Sequence, residues 1–432
     1  MSIFEPIEID RYPCVAHPLS KGCVLTFTKD ADKERMLRVR GRTVRLIWPH
    51  DPSRDAPPRH RRACEYEAFI PDPLTDSAID LPGQVAGVVS EAEKAIADLN
   101  AGEGPELAPL ARLLLRTESI ASSKVEGLQV GTRDLARAEA KESTGRRVSP
   151  EAAEILGNID AMQFAIEEAA SGEPSTQTFE EIHRELMTRA PNSSIAGQIR
   201  ERQNWIGGND YTPCDAAFVP PPHEEVRPLL DDLARFVRDD ELPPLVQAAV
   251  AHAQFETIHP FEDGNGRTGR ALIHVILRRR GPAASFVPPI SVVFARGKDQ
   301  YIRGLTMFRE DEIAGWIESF AVCALRAATL AERYVGRVRA LQDEWKERLR
   351  EQVDPRSDAA AWAVIDILPA HPVVTVPVAV AATARTKPAV TNGIDQLVTA
   401  GVLMPVGESA RNRSWEADGL LDLIEALEAG EP

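Results

Sequence analysis

Twelve consecutive residues, His259 to Arg270 (His-Pro-Phe-Glu-Asp-Gly-Asn-Gly-Arg-Thr-Gly-Arg), place a possible base, a carboxylate, three glycines and two guanidinium groups together. The elements around them are legible. Pro243 to Ile258 opens with paired prolines and runs on as almost uninterrupted apolar and small residues, the pattern of a buried helix. Pro260 stops that helix and leaves His259 at its end. Gly264-Asn265-Gly266 makes a loop whose backbone turns freely and approaches a ligand closely. From Arg267 to Arg280 a helix resumes. A glycine-bearing loop that opens a helix presents unpaired N–H groups at the positive end of the dipole, which suits an anion such as phosphate. Arg267 and Arg270, three residues apart, leave one helix face and suit neighbouring phosphates of one polyphosphate.

Two other readings fail on neighbouring residues. Gly264 to Gly269 also fits Gly-x-Gly-x-x-Gly, but the dinucleotide fingerprint requires a preceding strand and an acid about 20 residues on. The preceding segment is helical, and Ala284 to Phe294 contains no Asp or Glu. His252 and His259 as a zinc pair stand roughly 10 Å apart along a helix, too far to share one ion. His252 reads as a core or helix-face histidine.

The stretch resembles the signature of the Fic (Fic/Doc) family, His-x-Phe-x-Asp/Glu-Gly-Asn-Gly-Arg-x-x-Arg, and meets every fixed position. That resemblance implies transfer of AMP from ATP to a hydroxyl of a target protein, with magnesium as cofactor. In it His259 takes the proton of the attacking hydroxyl, and Asp263 holds the magnesium on the phosphates. Gly264, Asn265 and Gly266 cradle phosphate, Arg267 binds it, Arg270 reaches the γ-phosphate, and Phe261 is packing. Tyr301, in a helical segment opening at Lys298, corresponds to a tyrosine near the nucleotide.

Earlier in the chain, Ser122-Ser123-Lys124-Val125-Glu126-Gly127 sets Ser122 and Glu126 on one helix face, with Gly127 able to end the turn. Beside the first motif it resembles the family's inhibitory pattern, Ser/Thr-x-x-x-Glu-Gly/Asn, placed before the catalytic core. Gln203 to Ile206, then Gly207-Gly208-Asn209-Asp210, then Ala216 to Val219 reads as a hairpin. By resemblance this is a flap on which a target's extended segment adds as a strand.

Asp358 to Leu368, Val376 to Thr383 and Ala389 to Thr399 read as short helices, and Gly401 to Ala417 as two strands. The order resembles a winged helix-turn-helix, with Lys387 to Gly401 as recognition helix and Arg411 and Arg413 in the wing. Residues 357–432 hold 4 basic against 10 acidic side chains. Protein contact or packing is therefore as fitting as DNA contact.

The chain of 432 residues has a formal charge of −16, which argues against broad nucleic-acid binding by the whole molecule. No apolar run approaches the ~18 residues of a membrane span, and the start lacks the order of a secretion signal. A cytoplasmic protein without membrane contact is expected. Five scattered cysteines, Cys14, Cys23, Cys64, Cys214 and Cys323, disfavour a disulfide framework and a zinc site. Residues 1–65 hold the Arg- and Pro-rich Pro49 to Arg62, read as a flexible linker, with possible short strands at Val24 to Phe27 and Leu37 to Trp48. The expected architecture is mainly α: this N-terminal extension, a helical region over 66–150 with the inhibitory motif, a Fic-type helical core over 151–350, and a small winged-helix end over 357–432. The functional expectation is a magnesium- and ATP-dependent protein adenylyltransferase inhibited through Ser122, Glu126 and Gly127, whose partners are ATP and a target protein. The alternatives are a nucleotide-sensing DNA-binding regulator and a transferase of another nucleotide or phosphate-bearing group.

Overall fold

A computed structural model describes residues 41–75, 81–101, 107–406 and 413–429. The expected strand at Val24 to Phe27 and the wing residue Arg411 lie outside these ranges. The chain opens on an antiparallel pair, β1 (Gly41–Trp48) and β2 (Cys64–Pro71), registered from Gly41 opposite Pro71 to Trp48 opposite Cys64. Helices follow: α1 (Gly83–Leu99), α2 (Ala108–Val125), α3 (Thr132–Glu142), α4 (Pro150–Glu167), α5 (Thr176–Met187) and α6 (His223–Arg238). Next come α7 (Pro244–Ile258), α8 (Asn265–Arg279), α9 (Ile290–Arg296), α10 (Lys298–Arg309) and the long α11 (Ile313–Gln352). The C-terminal module runs α12 (Ala360–Ile367), β3 (Val373–Thr375), α13 (Val376–Thr383), α14 (Lys387–Thr399), β4 (Leu403–Val406), β5 (Ser414–Ala417) and α15 (Leu420–Glu428).

The mainly helical class is as the sequence implies, and the physical centre is α7. Every residue from Leu245 to Ile258 is buried, so this helix is wrapped on all sides. Its neighbours contribute Phe179, Leu230, Ile273, Phe294, Trp316 and Phe320 to one continuous core. Trp316 keeps its indole satisfied there by donating to the Ala249 carbonyl at 2.8 Å. Ser149 caps α4 by accepting from Ala152 N at 3.2 Å, and Ser175 with Thr178 forms a capping box on α5; such caps stabilise by about 1 kcal/mol each. A second core joins Leu113, Trp345, Val364, Leu397, Trp415 and Ile424. Its three strands order β3-β5-β4, and the succession helix, strand, helix, helix, strand, strand is that of a winged helix.

Three expectations need correction. Pro49 to Arg62 is the closed end of the β1–β2 pair and not a linker: Asp51 N donates to Arg61 O at 2.9 Å, Arg61 Nε to Ala56 O at 2.7 Å, and Arg54 sits over Trp48. The helical region accordingly begins at Gly83, after β2. Cys64 and Cys214, 150 residues apart, form a disulfide with Cα atoms at 6.2 Å, because β2 lies against the segment that carries Cys214. Phe69 N donates to Val219 O at 2.9 Å along the same seam. Finally, α11 is long and apolar enough to span a membrane by composition, with a mean hydropathy of 1.4 over its best window. Its Trp316, Phe320, Ala324 and Ala328 are nevertheless buried in the core, which accounts for that apolarity.

Candidate active site

His259 is the residue at which α7 ends, and its backbone is left-handed (φ 50°, ψ 62°). A side chain in that region costs roughly 1–2 kcal/mol, so the surroundings must hold it. Arg200 does so from within the core. Its Nε donates to the His259 carbonyl at 2.9 Å, its Nη1 to Arg202 O at 2.9 Å and its Nη2 to Pro221 O at 2.6 Å, while its backbone N donates to Pro260 O at 2.9 Å. The imidazole Nδ1 lies 2.9 Å from Asn204 Nδ2 and 3.3 Å from Asn265 Nδ2, and these two carboxamides fix the ring plane. Burial, and then the charge of Arg200, lower the His259 pKa to about 3. The ring is neutral near pH 7 and retains a lone pair for a proton.

The loop after His259 is pinned to its neighbours. Gly264 is left-handed (φ 75°), and a Cβ there would meet Leu186, Met187 and His183 at 3.0–3.3 Å. Asn265 closes the loop on itself: Phe261 N donates to its Oδ1 at 2.8 Å and its Nδ2 donates to Phe261 O at 2.8 Å. This carboxamide therefore shapes the loop in place of pointing out to a ligand. α8 then begins, and the space over its first turn is already filled. A Cβ on Gly266 would stand 2.0 Å from Glu126 Oε1, so the Glu126 carboxylate occupies the anion position at the helix N-terminus.

Glu126 reaches that position because α2 aims one face at α8. Glu118, Ser122 and Glu126 succeed one another at four-residue spacing. Arg270, 1% exposed, donates from Nε to Ser122 Oγ at 2.8 Å and from Nη2 to Ser122 O at 2.9 Å and Glu126 Oε1 at 2.6 Å. Burial raises the Glu126 pKa, but Arg270, Arg267 and Lys298 outweigh it and hold the group below the ordinary value. Gly127 (φ 90°) ends the helix in a Schellman arrangement, with Gly127 N on Lys124 O at 3.0 Å and Leu128 N on Ser123 O at 3.1 Å. Lys298 Nζ adds a bond to Val125 O at 2.6 Å, a cation at the negative end of α2.

Residues 173–277 match the Fic/DOC family, and residues 87–167 match its N-terminal family, described as Fic/DOC family N-terminal. Together these two matches cover much of the helical core. The protein adenylyltransferase fic-1 of Caenorhabditis elegans is 28% identical over 196 residues, 44% of this chain and 35% of that protein. The protein adenylyltransferase Fic of Drosophila erecta is 28% identical over 181 residues, 41% of this chain and 33% of that protein. The chain thus spans about a third of the length of these curated relatives. A crystal structure of a Fic family protein from Desulfovibrio desulfuricans G20 aligns with a TM-score of 0.48 at 20% identity, covering 79% of this chain and 97% of that one.

Within the Fic core the remaining signature residues divide by accessibility. Asp263 keeps a half-exposed carboxylate beside the loop, where its Oδ1 accepts from Gly264 N at 2.6 Å. Arg267, 3% exposed, pairs with Glu154 at 2.8 Å, and its Nε has no hydrogen-bond partner. Phe261 is fully buried, as a packing residue should be. Tyr301 is buried in a layer of aromatic rings, its hydroxyl 2.9 Å from His252 Nε2, so both residues belong to the floor of the site. Four contributors escape sequence inspection. Besides Arg200 and Asn204, His183 stacks on Phe261 at 3.8 Å, accepts from Gly197 N at Nδ1 and holds the Asp263 carbonyl at 3.0 Å through Nε2. Glu256, one turn before His259, is a buried carboxyl whose pKa burial raises to about 8. The flap is reduced to one antiparallel bridge, Ile206 with Phe218, and leaves Ile206 and Tyr211 exposed.

Proposed function

We propose that this protein is an ATP-dependent protein adenylyltransferase that Glu126 holds inactive. The observation that carries this reading is the neutral His259 imidazole set beside an anion site built from the N-terminus of α8, Arg267 and Arg270. The polyphosphate of ATP lies over the first turn of α8, with Arg267 and Arg270 offsetting its charge. A target serine, threonine or tyrosine hydroxyl attacks the α-phosphorus, the bond to the bridging oxygen breaks, and pyrophosphate leaves. His259 accepts the hydroxyl proton as the new P–O bond forms. The target offers that hydroxyl on an extended segment laid beside Ile206 of the flap.

Magnesium fits this chemistry on the donors present. Among the described residues no three His, Cys, Asp or Glu side chains come together as a cage. A phosphate-bound magnesium ion needs only one or two carboxylates, and Asp263 supplies a reachable one at the loop. Bound there, the ion would offset phosphate charge during displacement.

Mass spectrometry of the Glu126→Gly protein incubated with ATP tests the reaction class: a gain of one AMP on a hydroxyl side chain is expected, and a gain of phosphate alone contradicts the proposal. The pH dependence follows from the lowered His259 pKa. Protonation removes the base, and a folded-state value near 3 delays protonation to low pH. The rate of AMP incorporation by uninhibited enzyme should therefore persist well below the ordinary histidine value of about 6.5. An acid limb with its midpoint at that value would show that His259 is not held as described.

A further inference from the structure

The inhibitory end of α2 is gripped from two sides, and one grip comes from the C-terminal module. α2 is shared between the two cores of the molecule. Leu110, Leu113 and Leu114 pack with Trp345, Leu420 and Ile424, whereas Ile120 and Val125 pack in the Fic core. Where α2 passes from one core to the other and on into α3, α15 presents a row of acids. Lys124 Nζ pairs with Glu428 Oε2, and Thr132 Oγ1 donates to the same oxygen at 3.0 Å. Arg133 donates from Nη1 to both oxygens of Glu425 at 2.9 and 3.0 Å, from Nη2 to Asp422 at 2.6 Å and from Nε to Glu416 at 3.3 Å. Arg137 adds a pair with Glu416 at 3.5 Å. Glu428 is 3% exposed, so the carboxylate end of its pair with the half-buried Lys124 is largely shielded from water.

These contacts bracket the inhibitory residue. Lys124 precedes Glu126 by two residues, and Thr132 and Arg133 follow it closely. Both flanks of the turn at Glu126–Gly127 are tied to α15, while Glu126 itself is tied to Arg270. Four of the ten acids of residues 357–432, Glu416, Asp422, Glu425 and Glu428, lie on this seam. α14 offers only Lys387 as a basic residue, against Asp395.

We infer that the C-terminal module sets the level of inhibition: α15 docked on α2 and α3 keeps Glu126 seated on Arg270, and undocking of α15 switches the transferase on. The inference rests on the adenylyltransferase reading with Glu126 as inhibitor. Its thermodynamic requirement is that the undocked chain hold Glu126 on Arg270 less tightly than the docked one. Coupling then runs through α2, a single rigid helix with one end in each core.

The test uses the full chain with ATP labelled in the α-phosphate and reads self-incorporation. Arg133→Ser breaks the seam from one side, and Asp422→Asn combined with Glu425→Gln breaks it from the other at exposed positions that threaten folding little. Each is expected to raise incorporation about 2- to 5-fold, in keeping with the modest strength of exposed ion pairs. Amide hydrogen exchange should quicken at 123–128, and neither change should add to Glu126→Gly. Unchanged incorporation beside a fast Glu126→Gly chain overturns the inference. An equal fall in both backgrounds also overturns it, because it marks contacts that serve folding alone. A Glu126→Gly chain no faster than wild type removes the inhibition reading itself, and this inference with it.

Discussion

Glu126→Gly is expected to raise AMP incorporation about 10- to 100-fold over wild type. That range corresponds to the ~1.5–3 kcal/mol typical of a hydrogen bond between charged partners. In the proposed reading the carboxylate stands where phosphate would stand, over the first turn of α8 and 2.6 Å from Arg270 Nη2. Its removal vacates the anion position and leaves Arg270 with Ser122 as its bonded neighbour on α2. A buried guanidinium stripped of its carboxylate destabilises the fold, so the variant should also melt at a lower temperature. ATP should then recover more of that loss in the variant than it adds to wild type, because the phosphates supply the missing negative charge. Rates and melting temperatures measured at equal folded concentration check both statements. Equal rates would show that Glu126 is an ordinary helix-end residue.

His259→Ala should lower incorporation about 10²- to 10⁴-fold, the usual contribution of a positioned acid–base group, while ATP binding stays nearly unchanged. The separation follows from the geometry: the anion site is made by α8, Arg267 and Arg270, whereas His259 ends α7. Alanine is poorly suited to the left-handed backbone at this position, so some stability is lost with the base. His259→Asn is the matching control, since asparagine tolerates that backbone. It should fold nearly as well as wild type and be equally inactive. Titration of ATP binding beside the rate measurement decides the assignment, and a variant that binds ATP and still labels protein would refute it.

Much of the site was legible because its signals are local. The apolar run ending at Pro260 placed His259 at a helix end, and the four-residue spacing of Ser122 and Glu126 put both on the face that meets Arg270. What escaped inspection is made of side chains that bond to distant backbone. Arg200 and Asn204 reach carbonyls of His259 and Phe261 across more than 50 residues, and His183 reaches Asp263 across 80. A side chain that bonds a distant carbonyl leaves no pattern in its own neighbourhood. The β1–β2 pair was obscured for a related reason: Pro49 to Arg62 has the composition of a linker, yet its arginines bond to backbone carbonyls and cover Trp48. The disulfide had no spacing to announce it, since Cys64 and Cys214 meet only after β2 docks on the flap. Asn265 shows the opposite limit. Its place in the motif was plain, but its use as a loop closure required the coordinates.

The central claim is that His259 directs transfer of the α-phosphoryl group with its nucleoside, and parallel labelling tests it most directly. Glu126→Gly protein, alone and combined with His259→Ala, is incubated with ATP labelled in the α-phosphate and, separately, in the γ-phosphate. The account predicts protein-bound α-label for Glu126→Gly, none for the double variant, and no γ-label for either. Protein-bound γ-label without α-label, or α-label that survives loss of His259, would contradict it.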